Sequence, residues 1–364
     1  MPTLGMNDLK QYAIPANWDA SYLRNLSLED GTTYDTLVSA IAAALFLQNN
    51  DLKTHPLYAG LISSQPEPTI EYRTGGAPVF EAHSERTRAN AQRTSVNGHM
   101  LPLLPYDYAM EWTWDFLRKA RRSQVDADIK AGMEALRNIY QQKILTRLFK
   151  STYDSVGSGK SMPLADGGTA DSTYVPIAVP DRGGTFTSSH NHFKFLNGIT
   201  QANVQTVVDT LWEHNIDGPY EMLIAQADVS NWSNTSNVTG WVNKVFGEIQ
   251  YGNNTTLALL DNTYVGAINT TKGTLKVRAS GRIPANYYAI YRSYGNMDER
   301  NPLVVRESNQ YGMGAVLLAG DHIRQFPLES AIMFTEFGVG VKDRISAVAA
   351  YNTAGGSYTD PTIV

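Results

Sequence analysis

A long amphipathic helix is the feature of this sequence that most constrains its fold. Over residues 123–150, apolar side chains recur at spacings of three and four, which places them on one helical face. They are Val125, Ile129, Met133, Leu136, Tyr140, Ile144 and Leu148. Ser123 and Asp126 resemble a capping box, and Arg147 and Lys150 place positive charge at the carboxyl end of the helix. At 1.5 Å per residue the helix is about 42 Å long, so we predict that it serves as a strut.

The segment before this helix has too few apolar residues to fold by itself. Its only large apolar side chains between Arg73 and Leu101 are Val79, Phe80, Val96 and Met100. Burying so little apolar surface does not offset the conformational entropy lost on ordering the segment. We therefore predict that contacts with another molecule order it, which indicates assembly rather than catalysis.

A two-stranded hairpin is predicted over residues 69–110. Its first residues alternate between apolar and charged side chains, with Ile70 and Tyr72 on one face. Asn97-Gly98 favours a tight turn, because both residues tolerate positive φ. A two-stranded ribbon is only marginally stable in water, so we expect it to lie against something else.

Nine charged residues in and after this hairpin are candidates for contacts between subunits. They are Glu81, Glu85, Arg86, Arg88, Arg93, Arg118, Lys119, Arg121 and Arg122. On a solvated surface each ion pair would contribute only about 0–1 kcal/mol. We favour the interface over the solvated surface, because the hairpin needs an outside partner.

Composition excludes several classes of function. The chain has 364 residues, of which 42% are apolar and 18% charged, as in ordinary globular domains. A formal charge of -5 argues against a dedicated nucleic-acid-binding protein. Without cysteine the chain forms no disulfide, thiolate metal site or cysteine nucleophile. The sequence contains neither the roughly 20 apolar residues of a membrane span nor a signal peptide, so we expect the cytoplasm of the producing cell.

The remaining patterns predict an α+β fold without a regular βαβ alternation. Helical spacing over residues 34–49 and 204–212 predicts two further helices. Residues 151–197 are rich in Gly, Ser, Thr and Asp and predict loops with short strands. Short apolar runs predict further strands at 222–225, 264–268, 274–278, 287–294, 303–307 and 337–341.

The sequence GSGKS at 157–161 resembles part of a phosphate-binding loop. Such a loop needs one more glycine, a strand before it and a helix after it. Here Asp154 stands in place of that glycine, a predicted helix precedes, and Met162-Pro163 follows. We therefore predict a flexible loop and no nucleotide cofactor.

His190 and His192 are one residue apart, so on a strand they would share a face and could bind a metal. A third and a fourth ligand are not evident nearby, and we favour a solvated loop. No catalytic pair of acids and no nucleophile motif is recognisable. We accordingly predict no enzyme activity, no metal and no cofactor.

The order of these parts resembles the major capsid protein of tailed bacteriophages, whose fold is shared by encapsulin shells. That family has an amino-terminal arm, an extended hairpin called the E-loop, a long spine helix, and peripheral and axial domains. The closing sequence AIMFTEFGVGVKDRISAVAAY at 331–351 is similar to its last peripheral strands. The resemblance implies the following division: arm with short helix 1–68, E-loop 69–110, spine helix and peripheral part 111–196, axial domain 197–306, and peripheral return with tail 307–364.

The resemblance implies a virion subunit that assembles into pentamers and hexamers of an icosahedral shell around double-stranded DNA. Synthesis in the bacterial cytoplasm is implied, as are separate scaffolding, portal and possible decoration proteins, and only incidental DNA contact. Some members join subunits through an E-loop lysine and a carboxyl-terminal asparagine. This chain has no lysine between Lys53 and Lys119, although Asn352 is present, so we expect non-covalent cohesion.

Two other functions stay open at this point. An encapsulin compartment around a cargo enzyme would use the same fold, and a helix over 34–49 is compatible with it. A carbohydrate- or receptor-binding protein is the other alternative, because 20 Tyr and 6 Trp with many Asn and Thr could stack on sugars. Aromatic residues also fill cores and interfaces, so we rank this function last.

Overall fold

The computed structural model describes residues 27–74, 95–179, 181–182, 184–244, 263–319 and 328–363, and the chain is α+β as predicted. The helices are α1 (Tyr34–Thr54), α2 (Trp114–Lys119), α3 (Arg122–Phe149), α4 (Gln201–Trp212) and α5 (Val229–Trp232). The strands are β1 (Ile62–Gln65), β2 (Thr69–Thr74), β3 (Ser95–Met100), β4 (Leu104–Thr113), β5 (Asp154–Val156), β6 (Gly159–Ser161), β7 (Phe193–Leu196), β8 (Tyr220–Ala225), β9 (Trp241–Asn243), β10 (Tyr264–Thr270), β11 (Gly273–Ser280), β12 (Tyr287–Arg292), β13 (Leu303–Glu307), β14 (Val316–Ala319), β15 (Leu328–Val341) and β16 (Ala347–Asn352).

The chain folds as two compact units. The first comprises the described parts of Met1–Asn50, Pro105–Arg137 and Gly314–Thr335. The second comprises the described parts of Asp51–Leu104, Asn138–Met313 and Glu336–Val364. The helices α1 and α3 and the strand β15 each have residues in both units. The division into arm, E-loop, peripheral and axial domains stays a prediction.

The second unit is built around a mixed seven-stranded sheet in the order β7-β16-β12-β8-β11-β10-β9. Strand β8 pairs in parallel with β11 and antiparallel with β12, so its backbone is hydrogen-bonded to a neighbouring strand on both edges. A strand in that position is covered on both faces, which explains its uninterrupted apolar run from Met222 to Ala225. The helix α4 buries Val204, Val207, Val208 and Leu211 completely in the same core, as the sequence predicted.

The long helix α3 confirms the clearest prediction from the sequence. It spans 28 residues, Arg122–Phe149, and is displaced by one residue from the predicted range. The predicted stripe is buried, except for Met133, which is half-buried. The predicted capping box is wrong, because Ser123 already lies inside the helix. Instead, the Gln124 side-chain oxygen accepts from the Arg121 backbone N–H at 2.9 Å, and Asp30 Oδ2 accepts from the Arg122 N–H at 2.8 Å.

The hairpin exists, but its predicted turn is wrong. Strands β2 and β3 pair antiparallel, and Asn97 and Gly98 lie within β3, opposite Tyr72 and Glu71. A Cβ at Gly98 would lie 2.8 Å from the Ile70 carbonyl oxygen, so this glycine permits close strand approach rather than a positive φ. Residues 75–94, which connect the strands, lie outside the described residues.

Beyond Met100 the chain leaves the hairpin. Strand β4 pairs with β15 and not with β2, so the paired ribbon does not continue to residue 110 as predicted. The other expected strands are present, with ends shifted by a few residues. The GSGKS sequence forms a small β5–β6 hairpin instead of a flexible loop, with Val156 opposite Gly159. A hairpin offers neither the strand-loop-helix order nor the helix amino terminus that a phosphate-binding loop uses.

Candidate assembly surface and histidine cluster

One face of the β2–β3 hairpin is anchored to its own chain. Ile70 and Tyr72 are buried with Leu101, Tyr174 and Val304 in one small apolar cluster. The prediction that another molecule must order this region is therefore wrong for the described part of the hairpin. The reason is that its buried face finds apolar partners distant in sequence, which composition alone does not reveal.

Arg344 lies at the centre of the contacts that hold the hairpin to its own chain, which we call the hairpin anchor, and it is completely buried. Its guanidinium lies 4.0 Å from the centre of the Tyr174 ring and 5.5 Å from that of Tyr72. Its terminal nitrogens are each 3.5 Å from a carboxylate oxygen, of Asp166 and of Asp171. The cation is thus paired with two acids and packed on two rings, which offsets the cost of removing it from water.

The anchor reaches strand β3 through the same acids. Asp171 Oδ2 also accepts a hydrogen bond from the Asn97 side-chain amide at 3.3 Å. Asp166 in turn accepts from the backbone N–H groups of Gly168 and Ala170 at 3.2 and 2.5 Å. The loop that carries both acids is therefore held in place, and the hairpin base is held to that loop.

The opposite face of the hairpin exposes apolar side chains. Val96 and Met100 lie four residues apart on β3 and are 61% and 51% exposed. Because side chains of a strand alternate between its faces, both point away from Ile70 and Tyr72. On the first unit, Phe46 and Leu47 of α1 are each 66% exposed. Contiguous apolar patches mark surfaces that interact with other molecules, and these two pairs of side chains are the candidates for such patches.

The nine charged candidates fall into two groups. Glu81, Glu85, Arg86, Arg88 and Arg93 lie outside the described residues. The other four lie around α2 and the start of α3, and the side chain of Arg118 is not described.

Lys119, Arg121 and Arg122 each pair with an acid of their own chain on an exposed surface. Their respective partners are Asp115 at 2.7 Å, Glu29 at 3.6 Å and Asp126 at 3.4 Å. Pairs this exposed contribute little to stability and can exchange partners readily. The use of these residues between subunits stays a prediction.

Three histidines meet in the second unit. His190 and His192 precede β7, and His214 follows the end of α4. His192 is fully buried and His214 is 5% exposed, so the predicted solvated loop is wrong. The backbone explains the burial: His192 donates to the Ala165 carbonyl at 2.7 Å, and its own carbonyl accepts from Ala349 at 3.0 Å. These bonds fix His192 in a bend directly before β7 and keep it buried against the end of the sheet.

The three Nε2 atoms form a nearly equilateral triangle. Their separations are 3.1 Å between His190 and His192, 3.0 Å between His192 and His214, and 2.8 Å between His214 and His190. His192 Nδ1 lies 2.7 Å from the Ala347 carbonyl oxygen. In the described part of the chain, His214 Nδ1 is buried without a hydrogen-bond partner.

Burial keeps all three imidazoles neutral near pH 7. It lowers the pKa of His190 to about 4, with a further contribution from the charge of Lys194. Burial and the neighbouring His190 and Lys194 lower the pKa of His214 to about 3. The pKa of His192 is also well below its usual value, chiefly because of burial. A neutral imidazole is the form of histidine that binds metal ions.

An acid and an aromatic ring border the cluster. Glu213 Oε1 lies 3.5 Å from His190 Nε2, and burial raises the pKa of this carboxyl. The ring of Phe186 lies 4.3 Å from that of His214 and 4.8 Å from that of His190, centre to centre. Sequence reasoning missed His214, although the adjacent pair Glu213 and His214 directly after a predicted helix was the available signal.

Sequence comparisons give no relative. No protein-family model matches the chain, and no curated protein matches it. Within the described residues, no helix combines the length and the apolar character of a membrane span.

Comparison of structures does give matches. A structure of Mycobacterium phage Patience is similar over 96% of this chain and 97% of that chain, with 19% identity and a TM-score of 0.63. The capsid asymmetric unit of cyanophage Pam1 is similar over 84% and 88%, with 11% identity and a TM-score of 0.49. The holo-SrpI encapsulin complex from Synechococcus elongatus PCC 7942 is similar over 82% and 88%, with 11% identity and a TM-score of 0.45.

With TM-scores below 0.5, neither of the last two similarities establishes a shared fold by itself. The similarity to the Patience structure spans nearly all of both chains and does establish one. The α+β class that the sequence predicted is confirmed, and the chain shares its fold with the Mycobacterium phage Patience structure.

Proposed function

We propose that this chain is the major capsid protein of a tailed bacteriophage and that copies of it assemble into the icosahedral shell of the virion. The shared fold with the Patience structure over 96% of the chain carries this proposal. Pentamers and hexamers held by non-covalent contacts would enclose a double-stranded DNA genome. Fold alone does not fix function, so the proposal also depends on surfaces suited to assembly.

Two exposed apolar surfaces support assembly. One is the outer face of the hairpin, with Val96 and Met100, and the other is the pair Phe46 and Leu47 on α1. In a shell each weak contact repeats in every subunit, so modest free energies per contact are sufficient. The interface of each subunit would be large, on the order of 2,000 Å² or more.

The partners of the shell belong to the proposal as well. Separate scaffolding and portal proteins would act with this chain, a decoration protein is a further candidate partner, and the inner surface would touch DNA only incidentally. The chain would be made and assembled in the bacterial cytoplasm. We expect no enzyme activity in the shell subunit.

Electron microscopy of the purified full chain in negative stain tests the proposal. We expect hollow polyhedral particles of uniform diameter, formed by the chain alone or with a co-expressed scaffolding protein. Particles isolated from infected cells should contain double-stranded DNA. Particles filled with a folded enzyme would instead identify an encapsulin compartment. A chain that stays monomeric under all conditions and binds glycans would contradict a shell function.

A further inference from the structure

The histidine cluster cannot be satisfied by hydrogen bonds alone. At each Nε2 the imidazole carries either a proton or a lone pair. The three Nε2 atoms are in mutual contact at 2.8–3.1 Å. Because there are only two states, at least two of the three atoms must both carry a proton or both carry a lone pair. At least one contact of the triangle therefore sets two protons or two lone pairs against each other, whatever the protonation state. Such a contact is repulsive, and the repulsion is stronger in the low dielectric of this largely buried cluster than it would be in water.

The proton of His192 can be placed from its surroundings. Its Nδ1 faces the Ala347 carbonyl at 2.7 Å, and only a protonated nitrogen can donate to a carbonyl oxygen. A neutral His192 therefore presents a lone pair at Nε2, directed at the other two rings. A hydrogen bond from the outer ring nitrogen to a backbone carbonyl is also the arrangement that orients metal-binding histidines.

A cation resolves the conflict, because it attracts three lone pairs at once. At a metal–nitrogen distance of about 2.0–2.1 Å, it would lie about 1.1 Å outside the plane of the three Nε2 atoms. Nitrogen–metal–nitrogen angles would be roughly 90°, and widening each nitrogen–nitrogen separation by about 0.4 Å would make them tetrahedral. Rotations of the three rings by a few degrees supply that change.

We propose that His190, His192 and His214 bind one divalent transition-metal cation, Zn²⁺ above all, through their Nε2 atoms, with the Glu213 carboxylate as the fourth ligand. Imidazole nitrogens suit Zn²⁺ and its neighbours in the series, whereas Ca²⁺ and Mg²⁺ prefer oxygen. Glu213 Oε1 is 3.5 Å from His190 Nε2, and its side chain would turn further towards the other two rings, because the compact group of ligand atoms consists of the three histidines. Four protein ligands leave no coordination position for water or substrate, so the site would be structural rather than catalytic.

The site would join two elements that are distant in sequence. His190 and His192 lead into β7, which pairs in parallel with β16, and His214 and Glu213 follow α4. The ion would thus fasten the end of α4 to the outer strand of the seven-stranded sheet. Lys194 opposes the cation electrostatically, and its positive charge also attracts the Glu213 carboxylate.

Metal analysis of the full chain is the first test. The protein is stripped with a chelator, supplied with Zn²⁺ alone, desalted and analysed by mass spectrometry of the metal. We expect about one ion per chain and a higher melting temperature of the loaded protein, because binding to the folded state stabilises it. Co²⁺ in place of Zn²⁺ should give the visible absorption of a four-coordinate nitrogen and oxygen site. Wild-type protein that retains no metal would overturn the proposal without any variant.

Variants then locate the ion. His190→Gln, at the partly exposed edge, and His214→Gln should each lower the affinity for Zn²⁺ by more than the roughly 10–100-fold that loss of an outer partner costs. His55→Gln, a histidine elsewhere in the second unit, should keep one ion per chain. If His55→Gln loses the ion while His190→Gln and His214→Gln retain it, the cluster is not the site.

A test variant and a matched control variant examine the fourth ligand separately. Glu213→Gln should weaken Zn²⁺ binding and shift the Co²⁺ absorption, because an amide replaces the carboxylate. Asp209→Asn removes an exposed acid of α4, the helix that precedes Glu213, and should change neither. Circular dichroism of each variant shows that it is folded. An unchanged Co²⁺ spectrum in folded Glu213→Gln would overturn the assignment of the fourth ligand.

Discussion

The β2–β3 hairpin and the seven-stranded sheet differ in how much of their surface the chain itself covers. In the sheet, β8 has a neighbour on each side, and α4 buries four apolar side chains against the same core. Of the described hairpin residues, Ile70 and Tyr72 are buried on one face, while Val96 and Met100 on the other face are exposed. The chain itself therefore covers the core strand of the sheet on both sides. It covers the hairpin on one face only, and we propose that a sister subunit covers the other face.

The largest effect should follow from breaking the hairpin anchor. Arg344→Met leaves Asp166 and Asp171 without their cation in a buried site, which should cost about 3–5 kcal/mol of unfolding free energy. Urea unfolding followed by circular dichroism measures the loss. Arg300→Met, which removes an exposed pair with Asp298, is the control and should leave the unfolding curve unchanged. Equal curves for both variants would mean that Arg344 is not an anchor.

Truncation in the sheet core should cost slightly less. Leu211→Ala on α4 leaves a cavity among fully buried side chains and should lower the unfolding free energy by about 2–5 kcal/mol. Hydrogen exchange should show increased opening in α4 and β8, with the β2–β3 hairpin unchanged. Asp209→Ala, at an exposed position of the same helix, should stay within about 0.5 kcal/mol of wild type. Opening of the hairpin in Leu211→Ala would remove the distinction between the two regions.

Acid should loosen the hairpin through His99. Burial, followed by the charges of Arg344 and Arg147, lowers the pKa of His99 in the folded chain to about 4, from an ordinary value of 6.5. The unfolded chain therefore takes up the proton first as the pH falls. Full stability is present above pH 6.5 and is lost towards pH 4, by up to on the order of 3 kcal/mol.

Hydrogen exchange of β2 and β3 at pH 7 and near pH 4.5 measures this effect. His99→Phe should abolish the loss of protection, whereas His55→Gln should keep it. Asp171, Lys160 and Tyr72 also face this region, and none of them is changed by either variant. An identical pH response in His99→Phe and wild type would show that His99 is not responsible.

The charged hairpin residues should affect assembly and not folding. Arg86→Glu combined with Arg88→Glu should abolish particles by reversing charge where we predict a sister subunit, with circular dichroism of the monomer unchanged. Particle yield is measured by sedimentation and electron microscopy. Arg300→Glu is the control for charge reversal at another exposed arginine. A normal particle yield from the double variant would contradict the role predicted for these two arginines.

The smallest effect on the isolated chain should come from the outer face of the hairpin. Val96→Asp with Met100→Asp replaces apolar side chains that already contact water, so the unfolding free energy should hardly change. In the shell the same side chains would be buried, and charges there should prevent assembly. Val242→Asp, on the exposed side of β9, is the matched control and should assemble.

Sequence patterns correctly predicted the helices and strands that depend on the local spacing of apolar residues. The stripe of α3 and the apolar run of β8 specify a helix and a central strand almost to the residue. The turn at Asn97-Gly98 was wrong, because a turn-forming pair is equally suited to close pairing of two strands. The buried positions of Arg344 and His192 depend on residues far away in sequence, which no local pattern encodes. His214 was missed for the same reason, since 22 residues separate it from its neighbour His192.

Hydrogen exchange of dilute chain and of assembled particles compares the two regions most directly. We predict that β2 and β3 are partly protected in the dilute chain, because Arg344 anchors them, and that protection rises strongly in particles. Protection of α4 and β8 should be high and equal in both samples. Equal protection of the hairpin in dilute chain and particles would contradict the claim that a sister subunit covers its outer face.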